Sequence, residues 1–128
     1  MKLLLDTCAA IWLAAGDARL SATARAAFRD ADNTVALSAA SAWEIAVKHR
    51  LGRLPLPEPP DAFVRRLRET HAIDSLPIDE LSALGASRLP DIHRDPFDRI
   101  IVCQAIAHGF VLVTDDAAIR QYPVRTLW

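Results

Sequence analysis

Five acids in this chain stand against apolar segments: Asp6 after LLL, Glu44 inside AWEIAV, Asp98 inside DPFDR, and the pair Asp115 and Asp116 after FVLVT. A carboxylate at the end of a buried strand is costly unless something offsets its charge. Several in one partly buried place repel one another and stay ionised only beside compensating positive charge. A hard divalent cation supplies that charge, and an all-oxygen donor set suits Mg²⁺ or Mn²⁺. Such a centre supports phosphoester chemistry.

Each acid also has an ordinary structural reading. Asp95, Asp98 and Asp116 can cap helices or face the helix dipole from the first turn. Glu44 can pair with Lys48 one turn on, a contact worth about 0.2–0.5 kcal/mol. Asp6 can close an Asx turn. Glu44, however, interrupts a mostly apolar run, which suits a carboxylate held at a protein edge. The combination points to a metal centre where no single acid does.

The elements that must position these acids follow from patterning. Residues 2 to 6 read as a strand, and 7 to 15 as a short helix stopped near Gly16. Ser21 caps a second helix running to about Asp30. TVALS (34–38) reads as a buried strand, followed by a helix over 39–51 closed by Gly52. The stretch LPLPEPP (54–60) is an extended surface loop. Helices are expected over 61–70 and 79–88, with IDSLP (73–77) as a short strand or extended link between them. Asp95 and Pro96 open a further helix that Gly109 ends. FVLVT (110–114) is a third apolar strand, a short helix starts near Asp116, and VRTLW forms the last strand.

Strands alternating with helices argue for an α/β domain with a mainly parallel sheet. Ligands bind beyond the carboxyl ends of such strands. Asp6 and the Asp115–Asp116 pair would then share one edge, with Glu44 and Asp98 leaning toward it from adjacent helix starts.

Other chemistries fit less well. GxxxxGK[ST], GxGxxG and GxSxG are all absent. His49, His71, His93 and His108 show no HExxH spacing, and zinc prefers His or Cys ligands. His93 lies near Asp95 and Asp98 and could border the site, although a solvated loop histidine is the preferred reading. Trp12, Trp43 and Trp128 are scattered, as core or interface residues are.

At 128 residues and 52% hydrophobic, the chain suits one domain with a real core, spanning 1–128. A net charge of −1 gives no global basic field, although thirteen of the fifteen cations are Arg, suited to forked phosphate contacts. Cys8 and Cys103 form no CxxC pair and read as buried, reduced thiols of a cytoplasmic protein. Neither a secretory leader nor a membrane-length apolar run is visible.

LLLDT, SAASAWEIAVKHRLGRL, HRDPFDRIIVCQA and LVTDD resemble, in this order and at this spacing, the PIN-domain family, and more narrowly its VapC-type toxins of bacterial toxin–antitoxin pairs. The resemblance runs nearly from end to end; the DPFDR and SxWEIxxK stretches are its most specific parts. It implies an α/β/α sandwich with a central, mainly parallel sheet. It implies a Mg²⁺- or Mn²⁺-dependent endoribonuclease that leaves a 5′-phosphate and a 3′-hydroxyl. Carried over residue by residue, the acidic set falls on Asp6, Glu44, Asp98 and Asp116, as catalytic residues and metal ligands. Asp115 fills the middle of the T-x-D pattern and is a possible supporting acid. Cys8 stands where similar sequences often carry His.

RNA reaching an acidic pocket needs cations at its border, and Lys48, Arg50, Arg53, Arg94 and Arg99 lie near the motifs. Single-stranded or loop RNA fits a recessed site better than a duplex. The resemblance further implies a small VapB-type antitoxin and a homodimer. The cluster Ile11, Trp12 and Leu13 could meet a partner helix or join the core. Two rivals stay open. One is another divalent-metal phosphoesterase, although LLLDT lacks the DxD of an aspartyl-phosphate route. The other is a catalytically silent PIN-like binding module, against which the four acids argue.

Overall fold

The computed structural model describes residues 1–128. Its centre is a five-stranded, all-parallel sheet of order β3-β2-β1-β4-β5. The strands are β1 (Lys2–Leu5), β2 (Thr34–Ser38), β3 (Ile73–Leu76), β4 (Val111–Val113) and β5 (Thr126–Leu127). Six α-helices connect them: α1 (Thr7–Ala15), α2 (Ala22–Arg29), α3 (Ala39–Arg50), α4 (Pro60–His71), α5 (Glu80–Ala86) and α6 (Pro96–His108).

The strand β1 lies at the middle, paired with β2 and β4. Its three leucines are fully buried because both faces of a parallel sheet are covered. Alternation along the strand divides them. Leu3 and Leu5 join one core with Ala9, Ala10, Ala24 and Leu67, from α1, α2 and α4. Leu4 joins the other with Ala40, Ile101, Val102 and Ala105, from α3 and α6. This is the expected α/β/α sandwich. Each fully buried leucine contributes about 1.5–3 kcal/mol through burial.

Local chemistry ends the helices where the sequence indicated. Ser21, Asp79 and Asp95 each accept a backbone N–H as N-cap, and Pro96 occupies the first turn of α6. Gly16 and Gly109 take left-handed conformations at the ends of α1 and α6. The differences are local. The helix expected over 79–88 spans only Glu80–Ala86, and the helix expected near Asp116 is a single 3₁₀ turn, Ile119–Gln121. Asp116 bonds the amides of Ala118 and Ile119, closing that turn tightly. IDSLP supplies an edge strand, paired in parallel with β2.

Both cysteines are free. Cys8 was expected to be buried but is exposed, because Ala9 and Ala10 take the core-facing positions at the start of α1. Trp12 packs edge-on against Trp128, and Ile11, Trp12 and Leu13 are all half-buried. Trp43 is exposed, with its ring set edge-on to Phe97. No helix is long and apolar enough to cross a membrane.

Candidate active site

The carboxyl ends of β1 and β4 lie side by side, since Leu5 pairs with Val113 and the Asp6 amide donates to the Val113 carbonyl at 3.1 Å. Asp6 and Asp116 therefore flank neighbouring strand ends. Asp6 is also the N-cap of α1, its Oδ1 accepting the Ala9 N–H at 2.7 Å. This cap is a local reason, beyond any cation, for tolerating a buried acid there. Burial nevertheless raises the Asp6 pKa to about 6. Hydrogen bonds from Thr114 and Ala9 work the other way, while Asp115 and Asp116 add to the rise.

Glu44 enters from the middle of α3 and is buried. Its Oε1 accepts the Thr7 hydroxyl at 2.5 Å, and the Lys48 ammonium pairs with its Oε2. Ser41 lies 3.1 Å from the Thr7 hydroxyl and completes this group. Burial works against the Lys48 charge, but the bond to Glu44 holds its pKa above the ordinary value.

Asp98 comes from the first turn of α6. Its pKa is pushed up to about 8, first by burial and then by Asp95, Glu44, Asp6 and Asp116. Asp98 thus feels the charge of four other acids, and Lys48 is already engaged by one of them. Cys8 senses the same field. Although the residue is exposed as a whole, partial desolvation of its thiol, followed by Asp6, Glu44 and Asp98, raises its pKa to about 11, which leaves no nucleophilic thiolate near neutrality.

His93 is the residue that patterning misread. It is not a solvated loop side chain: its side chain is 19% exposed, and Nε2 stands 3.0 Å from Asp98 Oδ2 and 3.3 Å from Asp116 Oδ2. His93, Asp98 and Asp116 form the one group whose ligand atoms lie within 4.8 Å of each other. Asp115, by contrast, is exposed beyond the end of β4. Thr114 between the strand and the acids is fully buried, and its hydroxyl accepts the Asp116 N–H at 3.0 Å.

The cations divide into two kinds. Arg50, Arg53 and Arg94 are exposed. Arg94 borders a cleft of about 610 Å³ lined also by Asp91, Ile92, His93 and Arg99. Arg99 is engaged inside the protein. Its guanidinium donates to the carbonyls of Ala86, Leu89, Pro90 and His93 and reaches the Tyr122 hydroxyl. Arg99, one of the candidate cations near the motifs, thus spends its donors on clamping the segment before α6. Sequence patterning also passed over Thr7, Ser41, Thr114 and Tyr122. A hydroxyl directly after the acid in LLLDT, and before it in LVTDD, is the signal that could have marked Thr7 and Thr114.

The donor chemistry fits a hard divalent cation. Carboxylates offer oxygen donors, and two of them, Asp6 and Asp98, have pKa values raised first by burial, with neighbouring acids adding to the rise. No buried side-chain nitrogen or oxygen lacks a partner, so the acids are held in defined positions.

The PIN domain family model matches residues 3–124 of the chain. Ribonuclease VapC22 of Mycobacterium tuberculosis is 35% identical over 130 aligned positions, covering 98% of this chain and 97% of that protein. Ribonuclease VapC16 of the same organism is 58% identical over 40 residues, which are 31% of this chain and only 28% of that protein. Among solved structures, VapBC2 from Rickettsia felis bound to a promoter DNA fragment superposes with a TM-score of 0.69 at 14% identity, covering 98% of this chain and 97% of that one. VapBC-1 from nontypeable Haemophilus influenzae gives 0.68 at 18%, covering 98% and 96%. FitAcB from Neisseria gonorrhoeae gives 0.62 at 19%, covering 97% and 95%. At such identities the structural likeness is one of fold.

Proposed function

The chain belongs to the PIN domain family, and from that premise we propose that it is an endoribonuclease toxin that hydrolyses RNA phosphodiester bonds. Residues 1–128 constitute one PIN domain. Asp6, Glu44, Asp98 and Asp116 hold a divalent cation, Mg²⁺ or Mn²⁺. The observation that carries this reading is the convergence of four acids from β1, α3, α6 and the end of β4 into one field, where Asp98 is raised to about 8. Grouping so many acids in one partly buried place is costly without a cation; a cation site explains it.

When bound, the cation lowers the pKa of a water and offsets charge on the phosphoryl oxygens. The chain's own residues supply the frame. The Ala9 amide and Thr114 orient Asp6, Thr7 and Lys48 fix the two oxygens of Glu44, and the amides of Ala118 and Ile119 fix Asp116. Arg50, Arg53 and Arg94 are exposed cations able to meet the RNA backbone, with Arg94 at the mouth of the cleft beside His93. Lys48 serves first as the partner of Glu44. A small VapB-type antitoxin accompanies this reading by likeness to the VapBC structures, and a homodimer and a cytoplasmic location accompany it as implications of the family resemblance.

The decisive experiment is cleavage of a panel of structured and single-stranded RNAs by protein freed of any partner, with Mg²⁺, Mn²⁺ or EDTA. Cation-dependent cleavage lost in both Asp6→Asn and Asp98→Asn is the expected result. A folded wild type that neither cuts the panel nor binds a cation would overturn the reading in favour of a binding module.

A further inference from the structure

We propose that His93 is a positioning residue of the acidic site: its Nε2–H group sets the spacing of the Asp98 and Asp116 carboxylates and stays outside the coordination shell of the cation. This inference rests on the metal-dependent reading above.

Hydrogen bonding settles the proton. The backbone N–H of Asp95 donates to His93 Nδ1 at 3.1 Å, so Nδ1 presents its lone pair. In the neutral ring the proton then resides on Nε2. That Nε2–H is hydrogen-bonded to Asp116 Oδ2 at 3.3 Å, with Asp98 Oδ2 at 3.0 Å. An imidazole that ligates a cation through Nε2 needs its lone pair there and its proton on Nδ1. The Asp95 amide would oppose that proton directly. The geometry therefore makes His93 a donor to the ligands rather than a ligand.

The ring is built into place. The His93 N–H donates to the Tyr122 hydroxyl at 2.9 Å, and the His93 carbonyl accepts from Arg99 Nη1 at 3.0 Å. Tyr122 itself is buried and donates to the Pro90 carbonyl at 3.0 Å. Backbone on both sides and one ring nitrogen are thus fixed, and the remaining nitrogen faces two carboxylates from separate segments. Without it, the two carboxyl groups would face each other across that gap with no donor between them. Donors that orient ligating carboxylates tune cation affinity from outside the coordination shell.

The test uses the full chain freed of any partner, with Mn²⁺ alone as the probe. Calorimetry measures Mn²⁺ affinity for wild type, His93→Ala, His93→Gln and His93→Asn, and spin-echo spectra report any nitrogen bound to the ion. Gln places an amide N–H where Nε2 lies, whereas Asn places one nearer Nδ1. The Ala variant should bind Mn²⁺ about 10- to 100-fold more weakly. Gln should restore most of that loss and Asn should not, and no directly bound nitrogen should be seen. Unchanged or tighter binding by His93→Ala, or a directly bound nitrogen in wild type, overturns the proposal. Should the variants fail to fold, nitrogen NMR of the wild-type imidazole decides: a proton on Nδ1 in the cation-free protein overturns it. A folded wild type that binds no Mn²⁺ sinks the metal-site reading and the proposal with it; a wild type that binds while His93→Ala binds equally well sinks the positioning role alone.

Discussion

The hydroxyl of Thr7 donates to Oε1 of Glu44 across 2.5 Å, joining the first residue of α1 to the middle of α3. Both side chains are buried. Removing the donor leaves a buried carboxylate oxygen short of a partner, which costs about 1–3 kcal/mol. Thr7→Val, nearly isosteric, should lower stability in urea by that amount and reduce RNA cleavage, with Thr7→Ser losing much less. A Thr7→Val protein as stable as wild type would show that the bond is not maintained in solution.

Asp98 makes the cation-free protein sensitive to base. Burial, then Asp95, Glu44, Asp6 and Asp116, keeps its proton in the folded state up to about pH 8, against 3.8 for an ordinary Asp. Between those values the folded state binds more protons than the unfolded chain, so stability falls as pH rises. The contribution is full below about pH 4 and gone above about pH 8; Asp6 acts in the same sense up to about pH 6. Asp98→Asn should flatten this slope, gaining on the order of 3 kcal/mol at pH 8 in EDTA. Urea titrations of both proteins from pH 5 to 8.5 measure it, and parallel slopes would contradict the assignment.

Cation binding should carry the opposite pH dependence. Ligating carboxylates must lose their protons, so Mg²⁺ or Mn²⁺ affinity should rise between about pH 6 and pH 8, the interval that Asp6 and Asp98 define. A cation at about 100 times its Kd stabilises the folded state by about 2.7 kcal/mol. The melting temperature should therefore rise more with Mn²⁺ at pH 8 than at pH 6, fall back on EDTA addition, and respond weakly in Asp6→Asn. An equal Mn²⁺ response at both pH values would count against coordination by these two acids.

Arg99 and Arg94 should separate folding from RNA contact. Arg99 donates to the carbonyl of Ala86 at the end of α5 and to three loop carbonyls, and the single ammonium of Lys cannot reproduce that fork. Arg99→Lys should cost about 1.5–3 kcal/mol. Arg94 is exposed, so Arg94→Ala should change stability by less than about 0.5 kcal/mol while weakening RNA binding and its salt dependence. Melting curves beside RNA titrations at two salt concentrations distinguish the two arginines.

Much of this protein was legible from residue order alone. The leucines of LLLDT announce a strand covered on both faces, and strands alternating with capped helices dictate a parallel sheet with its acids at one edge. Asp95, Pro96 and Gly109 mark the ends of their helix because caps are local chemistry, satisfied within a few residues. The acids Asp6, Glu44, Asp98 and Asp116 stand out because a charge inside an apolar run is conspicuous wherever it occurs.

What the tertiary structure alone decided is which groups meet across the chain. His93 reaches Asp116, 23 residues away, and Thr7 reaches Glu44, 37 residues away. Neither pairing has a local signature, since each joins segments that only the folded chain brings side by side. Arg99 and Arg94 look alike in sequence as cations beside DPFDR, yet one is a clamp and the other is free. Asp115 and Asp116 likewise differ only in direction: the turn after β4 leaves the first exposed and sends the second toward His93. Residue type and spacing specify which elements form and which chemistry is available. The direction of a side chain, and the partner it spends its hydrogen bonds on, depend on contacts between segments that only the packed sheet and its helices bring together.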